Sequence, residues 1–130
     1  MFTPVIKLEN ADSRGEIYSI SLPDDRELML LHSKKGTLRG GHSHDVEEIV
    51  VFLTGEMQYH KTRDKNIEYG ELCQEGDVSY NPVGEYHLGE FLEDTWLLEW
   101  KIGTNKNGWK NIDHEAWRER VKATAAKTDV

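Results

Sequence analysis

His42 and His44 stand one residue apart in the stretch GGHSHDVEE, residues 40–48, beside Asp45, Glu47 and Glu48. Side chains alternate between the two faces of a β-strand, so a strand here points both imidazoles the same way and turns Ser43 to the other side. Taken alone, such a pair is more often two partly solvated histidines in a charged turn than a metal site. Further donors from elsewhere in the chain decide between the two. A turn near Asp45 followed by a strand entered at Glu48 brings that carboxylate beside the rings, with Val50 and Phe52 following on its face. Downstream, GDVSYNPVGEYHLGEF (76–91) reads as strand, turn and strand, with Pro82 and Gly84 in the turn. His87 then falls early in the returning strand, where it can supply another donor.

These side chains need a β scaffold to hold them, and the chain supplies one. From EIYSISL (16–22) to WLLEWKI (96–102) it is a series of short β-rich runs punctuated by PDD, SKKG, TRDKN, QEGD and NPVGE. That spacing predicts an all-β sandwich or barrel. EIVVFL (48–53) is apolar on both strand faces after its first residue and is expected to be central. After GTNKNG the period changes: Trp117, Val121 and Ala125 recur every four residues, which predicts a short C-terminal helix over about residues 113–127, capped by Asp113. With 130 residues and no internal repeat or linker, one domain spanning 1–130 is expected.

Composition narrows the partners. The balance of 16 basic against 24 acidic residues, net charge −8, repels nucleic-acid phosphates and anionic lipid, so a small molecule or another protein is the expected partner. Cys73 is the only cysteine, and the opening MFTPVIKLENADSRGE lacks the basic start and apolar run of a secretion signal. A soluble, cytoplasmic protein is therefore expected, with no contact to nucleic acid or membrane.

Two spaced motifs carry a resemblance. The first is Gly36, five residues, His42, one residue, His44, three residues, Glu48, six residues, Gly55. The second is Gly76, five residues, Pro82, one residue, Gly84, two residues, His87, followed at Phe91 by a departure from the asparagine often found there. Over about residues 27–102 the chain thus resembles the cupins, a family of small β-barrels identified by this pair of motifs. The resemblance implies a single cupin-type barrel, a double-stranded β-helix or jelly roll, closed here by the C-terminal helix. It also implies His42, His44, Glu48 and His87 as ligands of a divalent transition metal such as Fe, Mn, Ni, Co or Zn. A homodimer follows from the same likeness, with the N-terminal strands or the C-terminal helix at its interface. Three imidazoles and one carboxylate leave a divalent centre with a net charge of about +1, and octahedral geometry leaves two positions open.

Other residues are candidates for the chemistry around that centre. Tyr59 and Tyr80 are placed by alternation with Met57 and Val78 as possible proton donors on the cavity wall, with core packing as the alternative. Phe91 shares parity with His87, and Trp100 shares a face with Trp96 and Leu98, so Phe91 and Trp100 are read as substrate-contacting aromatics or as core. Arg39 alternates to the face opposite His42 unless Gly40 and Gly41 form a bulge that re-aims it towards substrate. The strings TLRGGHSH and DSRGEIYSI also resemble cupins that isomerise or epimerise nucleotide-linked sugars, although those generally lack the metal. The leading functional expectation is a metal-dependent isomerase, epimerase or lyase acting by proton transfer on a sugar-like or organic-acid substrate. The alternatives are an Fe(II)-dependent dioxygenase and a non-catalytic ligand-binding or sensor cupin.

Overall fold

The structure, a computed structural model, describes residues 5–23, 26–64, 67–103 and 109–128. The turn residues expected at Asp24, Asp25, Lys65 and Asn66, the stretch 104–108 and the last two residues of the tail lie outside them. Eleven strands and one helix are described: β1 Val5–Asp12, β2 Gly15–Ser21, β3 Glu27–Ser33, β4 Leu38–His44, β5 Glu48–Thr54, β6 Glu56–Asp64, β7 Ile67–Gln74, β8 Val78–Asn81, β9 Tyr86–Phe91, β10 Thr95–Lys101, β11 Asn111–Asp113 and α1 Glu115–Thr128. They form a six-stranded sheet ordered β1-β2-β3-β10-β5-β8 and a five-stranded sheet ordered β11-β4-β9-β6-β7.

The two sheets close over one apolar core. Leu31, Val50, Phe52 and Leu97 come from the first sheet, and Met57, Tyr59, Cys73 and Phe91 from the second. Alternation explains the selection, since each strand gives its inward residues to the core and its outward ones to solvent or to a covering element. The expectation for residues 48–53 holds in part: β5 lies between β10 and β8 with Val50 and Phe52 buried, but it neighbours the edge strand and its other face is only half-buried at Ile49 and Val51 and exposed at Leu53.

The helix covers the outer face of the second sheet, where Trp117 and Val121 pack with Leu88 against Leu38 and Tyr86. Its four-residue period was legible, but its cap is corrected by the structure. Asp113 belongs to β11 and pairs with His42, while His114 Nδ1 accepts the Trp117 amide at 3.4 Å. No helix among the described residues is long and apolar enough to cross a membrane.

One irregularity positions the site. The pairing of β4 with β9 runs from Gly40 opposite Leu88 to His42 opposite His87, so Gly41 is the extra residue of a bulge. Gly40 and Gly41 have φ of +109° and +96°, a region that side chains other than glycine rarely adopt. Neither has room for a Cβ: at Gly40 it would sit 2.7 Å from the His87 carbonyl oxygen, and at Gly41 it would collide with the Arg118 side chain.

Candidate metal centre

β4 delivers His42 and His44, and β9, its neighbour, delivers His87. One nitrogen from each ring lies within 4.8 Å of the others, and the ring centroids are 4.9, 5.0 and 5.2 Å apart. Glu48 enters from the opposite sheet at the start of β5, fully buried, with Oε2 3.2 Å from His44 Nε2 and Oε1 3.6 Å from His87 Nε2. Asn81 Nδ2 donates to Glu48 Oε1 at 3.0 Å and fixes the carboxylate from behind.

The polar atoms here fit a cation. His44 Nδ1 is buried without a hydrogen-bond partner among the described residues and Nε2 meets only Glu48 Oε2, at 3.2 Å, an arrangement that is costly unless another group uses the ring's lone pair. His87 Nδ1 donates to the Glu85 carbonyl at 3.2 Å, which leaves Nε2 as the lone-pair nitrogen for the cluster. Burial, then the neighbouring rings of His87 and His44, push His42 down to about 3. Burial likewise pushes His87 down to about 4 against the pull of Glu48. Both imidazoles are thus neutral donors at ordinary pH. For Glu48 burial acts upward, but the His44 ring and the Lys101 ammonium outweigh it and hold the carboxyl below its usual range.

Lys101 is the unforeseen member of the group. It ends β10 directly opposite Glu48, is only 8% exposed, and places Nζ 2.7 Å from Glu48 Oε2 and 3.3 Å from Glu99 Oε2. The same ammonium lies 4.2 Å from the centre of the Trp109 ring, and that ring meets His44 edge to face at 5.2 Å.

The imidazoles face a cavity of about 250 Å³ walled by apolar Ile17, Met29, Leu31, Phe91 and Leu97 and by polar Arg39, Tyr59, Glu99, Trp109 and Asn111. Glu99 is the only carboxylate among the described residues lining it, and burial, then the charge of Glu48, raise its carboxyl above the usual range. Tyr59 is buried, and its phenol is pushed well above its usual value by burial and then by Glu48, so it stays protonated. Arg39 donates from Nε to Ser33 Oγ at 2.7 Å and from Nη2 to the His32 carbonyl at 3.5 Å. It has no carboxylate within ion-pair distance among the described residues, whereas Arg14, also on the wall, is held by Asp12 at 2.6 Å. Burial, then Arg14, lower the Arg39 guanidinium from its ordinary value, against the more distant charges of Asp12, Glu99 and Glu16.

No family model matches this chain, and no curated protein matches it. Solved structures do. The capsular polysaccharide assembling protein CapF of Staphylococcus aureus superposes with a TM-score of 0.67 at 21% identity, over 88% of this chain and 34% of CapF. The Lactobacillus farciminis oxalate decarboxylase in its formate complex gives 0.68 at 18% identity, over 88% and 35% of the two chains. Vicilin from hazelnut, Corylus avellana, gives 0.66 at 11%, over 83% and 34%. The chain has the cupin fold. It spans about a third of the length of these structures, and at such identities the likeness concerns the fold alone.

Within the cupin barrel the structure gathers His42, His44, Glu48 and His87 at one place and puts Tyr59 and Phe91 on the same cavity wall. Arg39 joins them because the Gly40–Gly41 bulge exists and restores it to the inner face. Two candidates are corrected. Tyr80 is exposed and donates to Glu47 Oε1 at 2.7 Å, since β8 turns Ser79 and Asn81 inward. Trp100 is also exposed, because the inward residues of β10 are Leu97, Glu99 and Lys101, the reverse of what its aromatic face suggests. His32, His60 and His114 stand apart from the cluster: His32 Nδ1 lies 2.8 Å from Glu16, His60 Nε2 lies 3.1 Å from Glu90, and His114 caps the helix. Sequence reasoning missed Arg14, Glu99, Lys101, Trp109 and Asn111. Only the pairing of β10 with β5 and of β11 with β4 reveals the last four as neighbours of the cluster.

Proposed function

We propose that this cupin is a metal-dependent enzyme that moves a proton on a small, anionic, oxygen-bearing substrate, in a reaction of isomerase, epimerase or lyase type. The observation that carries the reading is the convergence of three imidazoles on one cavity, with the buried Glu48 carboxylate 3.2 Å from His44 Nε2. His42, His44, Glu48 and His87 would hold a divalent transition ion, which when bound supplies stabilisation of negative charge on a substrate oxygen.

The remaining roles belong to the wall. Arg39, a guanidinium with no carboxylate in ion-pair distance among the described residues, takes the anionic group of the substrate. Glu99 takes or returns a proton, its affinity already shifted towards neutral pH. Tyr59 remains a hydrogen-bond donor, and Phe91, Met29 and Leu31 exclude water. A cavity of about 250 Å³ suits an organic acid or a simple sugar acid. The oxalate decarboxylase neighbour, captured with formate, supports small acids as a substrate class. We further propose a cytoplasmic homodimer.

Metal assay of protein purified without additives, followed by thermal melts with added Mn²⁺, Fe²⁺, Co²⁺, Ni²⁺ or Zn²⁺, tests the centre. Bound or stabilising metal is expected in the native chain and its loss in His44→Ala. Less than about a tenth of an equivalent together with no stabilisation by any ion sinks the reading. A metal-loaded protein that turns over no keto acid, hydroxy acid or sugar acid leaves a binding protein instead, and iron-dependent oxygen uptake points to a dioxygenase.

A further inference from the structure

Lys101 raises a question that metal binding alone does not answer. A buried ammonium repels an incoming divalent cation, and this one sits 2.7 Å from Oε2 of Glu48, an oxygen that is itself 3.2 Å from His44 Nε2. An ion drawn to the imidazoles therefore meets a positive charge already installed on the fourth donor. A lysine serving only to neutralise a buried acid needs one counter-ion, and Lys101 has two. Glu99 Oε2 lies 3.3 Å away on the other side, and Trp109 offers its ring face at 4.2 Å.

This second set of partners makes an exchange feasible. If Glu48 turned to a metal and Lys101 had nothing else nearby, the exchange would strand a buried, unpaired ammonium. With Glu99 and Trp109 in place, Lys101 can release Glu48 and remain compensated. Glu48 stays anchored throughout, because Asn81 holds Oε1 and leaves Oε2 as the atom that changes partner.

We propose that Lys101 is the resident cation of this centre: it neutralises Glu48 in the metal-free protein and cedes that carboxylate to an entering divalent ion while keeping Glu99 as its own counter-ion. The inference rests on the metal-site reading given above and adds to it a determinant of affinity. The metal-free fold is stable without an ion, binding is weaker than the four donors alone provide, and the loaded centre has the Lys101–Glu99 pair beside it.

The test compares the full chain with Lys101→Met and Lys101→Gln, using Co²⁺ as the probe in competition with a chelator, and thermal melts in chelator and in excess Co²⁺. Removing the ammonium should tighten Co²⁺ binding by about tenfold or more. It should also lower the melting temperature of the metal-free protein while leaving that of the loaded protein unchanged or higher. Adding Glu48→Gln to Lys101→Met should cancel most of the tighter binding. Unchanged or weaker Co²⁺ binding in both Lys101 variants overturns the proposal, as does an equal loss of melting temperature with and without Co²⁺, the signature of a lysine that only packs. If the native chain binds Co²⁺ and the variants do not tighten, this inference alone fails. If no form binds Co²⁺, the metal reading fails and takes the inference with it.

Discussion

Arg39 is a half-buried cation of the cavity wall with no ion-pair partner among the described residues. Its Nε is satisfied by Ser33, yet no carboxylate among the described residues lies within ion-pair distance of it, Asp12, Glu99 and Glu16 acting only from further away, and Arg14 on the same wall is already bound to Asp12. A half-buried cation in that state lowers its energy by taking an anion from solution. We therefore expect Arg39→Gln to weaken binding of oxalate to the Co²⁺-loaded protein by about 10- to 100-fold, with Co²⁺ affinity changed by less than about threefold. Calorimetry with each ligand separates the two effects. Equal loss of oxalate and Co²⁺ affinity would show that Arg39 supports the metal cluster and not the substrate. The contrast with Tyr80 is instructive, because alternation offered Tyr80 to the cavity wall and turned Arg39 away from it unless the glycine pair formed a bulge. Tyr80 satisfies its hydroxyl on exposed Glu47, outside the cavity, and its substitution should leave oxalate binding unchanged.

At the scale of elements, the bulge in β4 does the positioning. It adds one residue between Arg39 and His42, and thereby brings onto one face two side chains that strict alternation separates. Gly40→Ala places a Cβ 2.7 Å from the His87 carbonyl oxygen at a φ of +109°, so it strains the bulge and pushes on the strand that carries His87. A loss of about 2–3 kcal/mol in unfolding free energy is expected in denaturant melts, together with weaker Co²⁺ binding. Unchanged values for both would mean that the register is set elsewhere. This element also shows what the sequence made legible. Spacing by two predicted that His42 and His44 share a face, the apolar run at 48–53 predicted an interior strand, and the glycine pair marked where alternation could break. Strand β10 shows the converse. In WLLEWK the aromatics Trp96 and Trp100 outweigh Glu99 and Lys101 on any hydrophobicity count, yet Trp96 lies on the outer face, stacked on His32 at 4.6 Å, and the two charged residues point inward. Inward charges are tolerated because they compensate each other and Glu48, a pairing fixed by cross-strand register and invisible within one strand. Trp109 and Asn111 were illegible for a related reason: the short strand β11 reaches the cluster only through its pairing with β4.

For the molecule as a whole, charge and edges divide the labour. A chain of net charge −8 repels a polyanion outside, while around the cavity Arg14 is paired with Asp12 and Lys101 with Glu48 and Glu99, which leaves Arg39 as the wall cation with no carboxylate in ion-pair distance among the described residues. The exterior has one feature that this charge does not explain. Strand β1 ends the six-stranded sheet, is exposed along its whole length, and presents Val5, Ile6 and Leu8 at 57, 63 and 52% exposure. An open edge leaves a row of main-chain donors and acceptors unused, and a second copy of the same strand, run antiparallel about a two-fold axis, matches that row to itself. Ile6 and Leu8 share a face, so each copy would cover the other's apolar pair. Light scattering after gel filtration should therefore give twice the mass of the chain, and Ile6→Glu with Leu8→Glu should halve it while leaving circular dichroism and Co²⁺ binding intact. Native protein running as a monomer at every concentration tested removes the dimer. A dimer that survives both substitutions moves the interface away from β1, with the exposed face of α1 the next surface to alter.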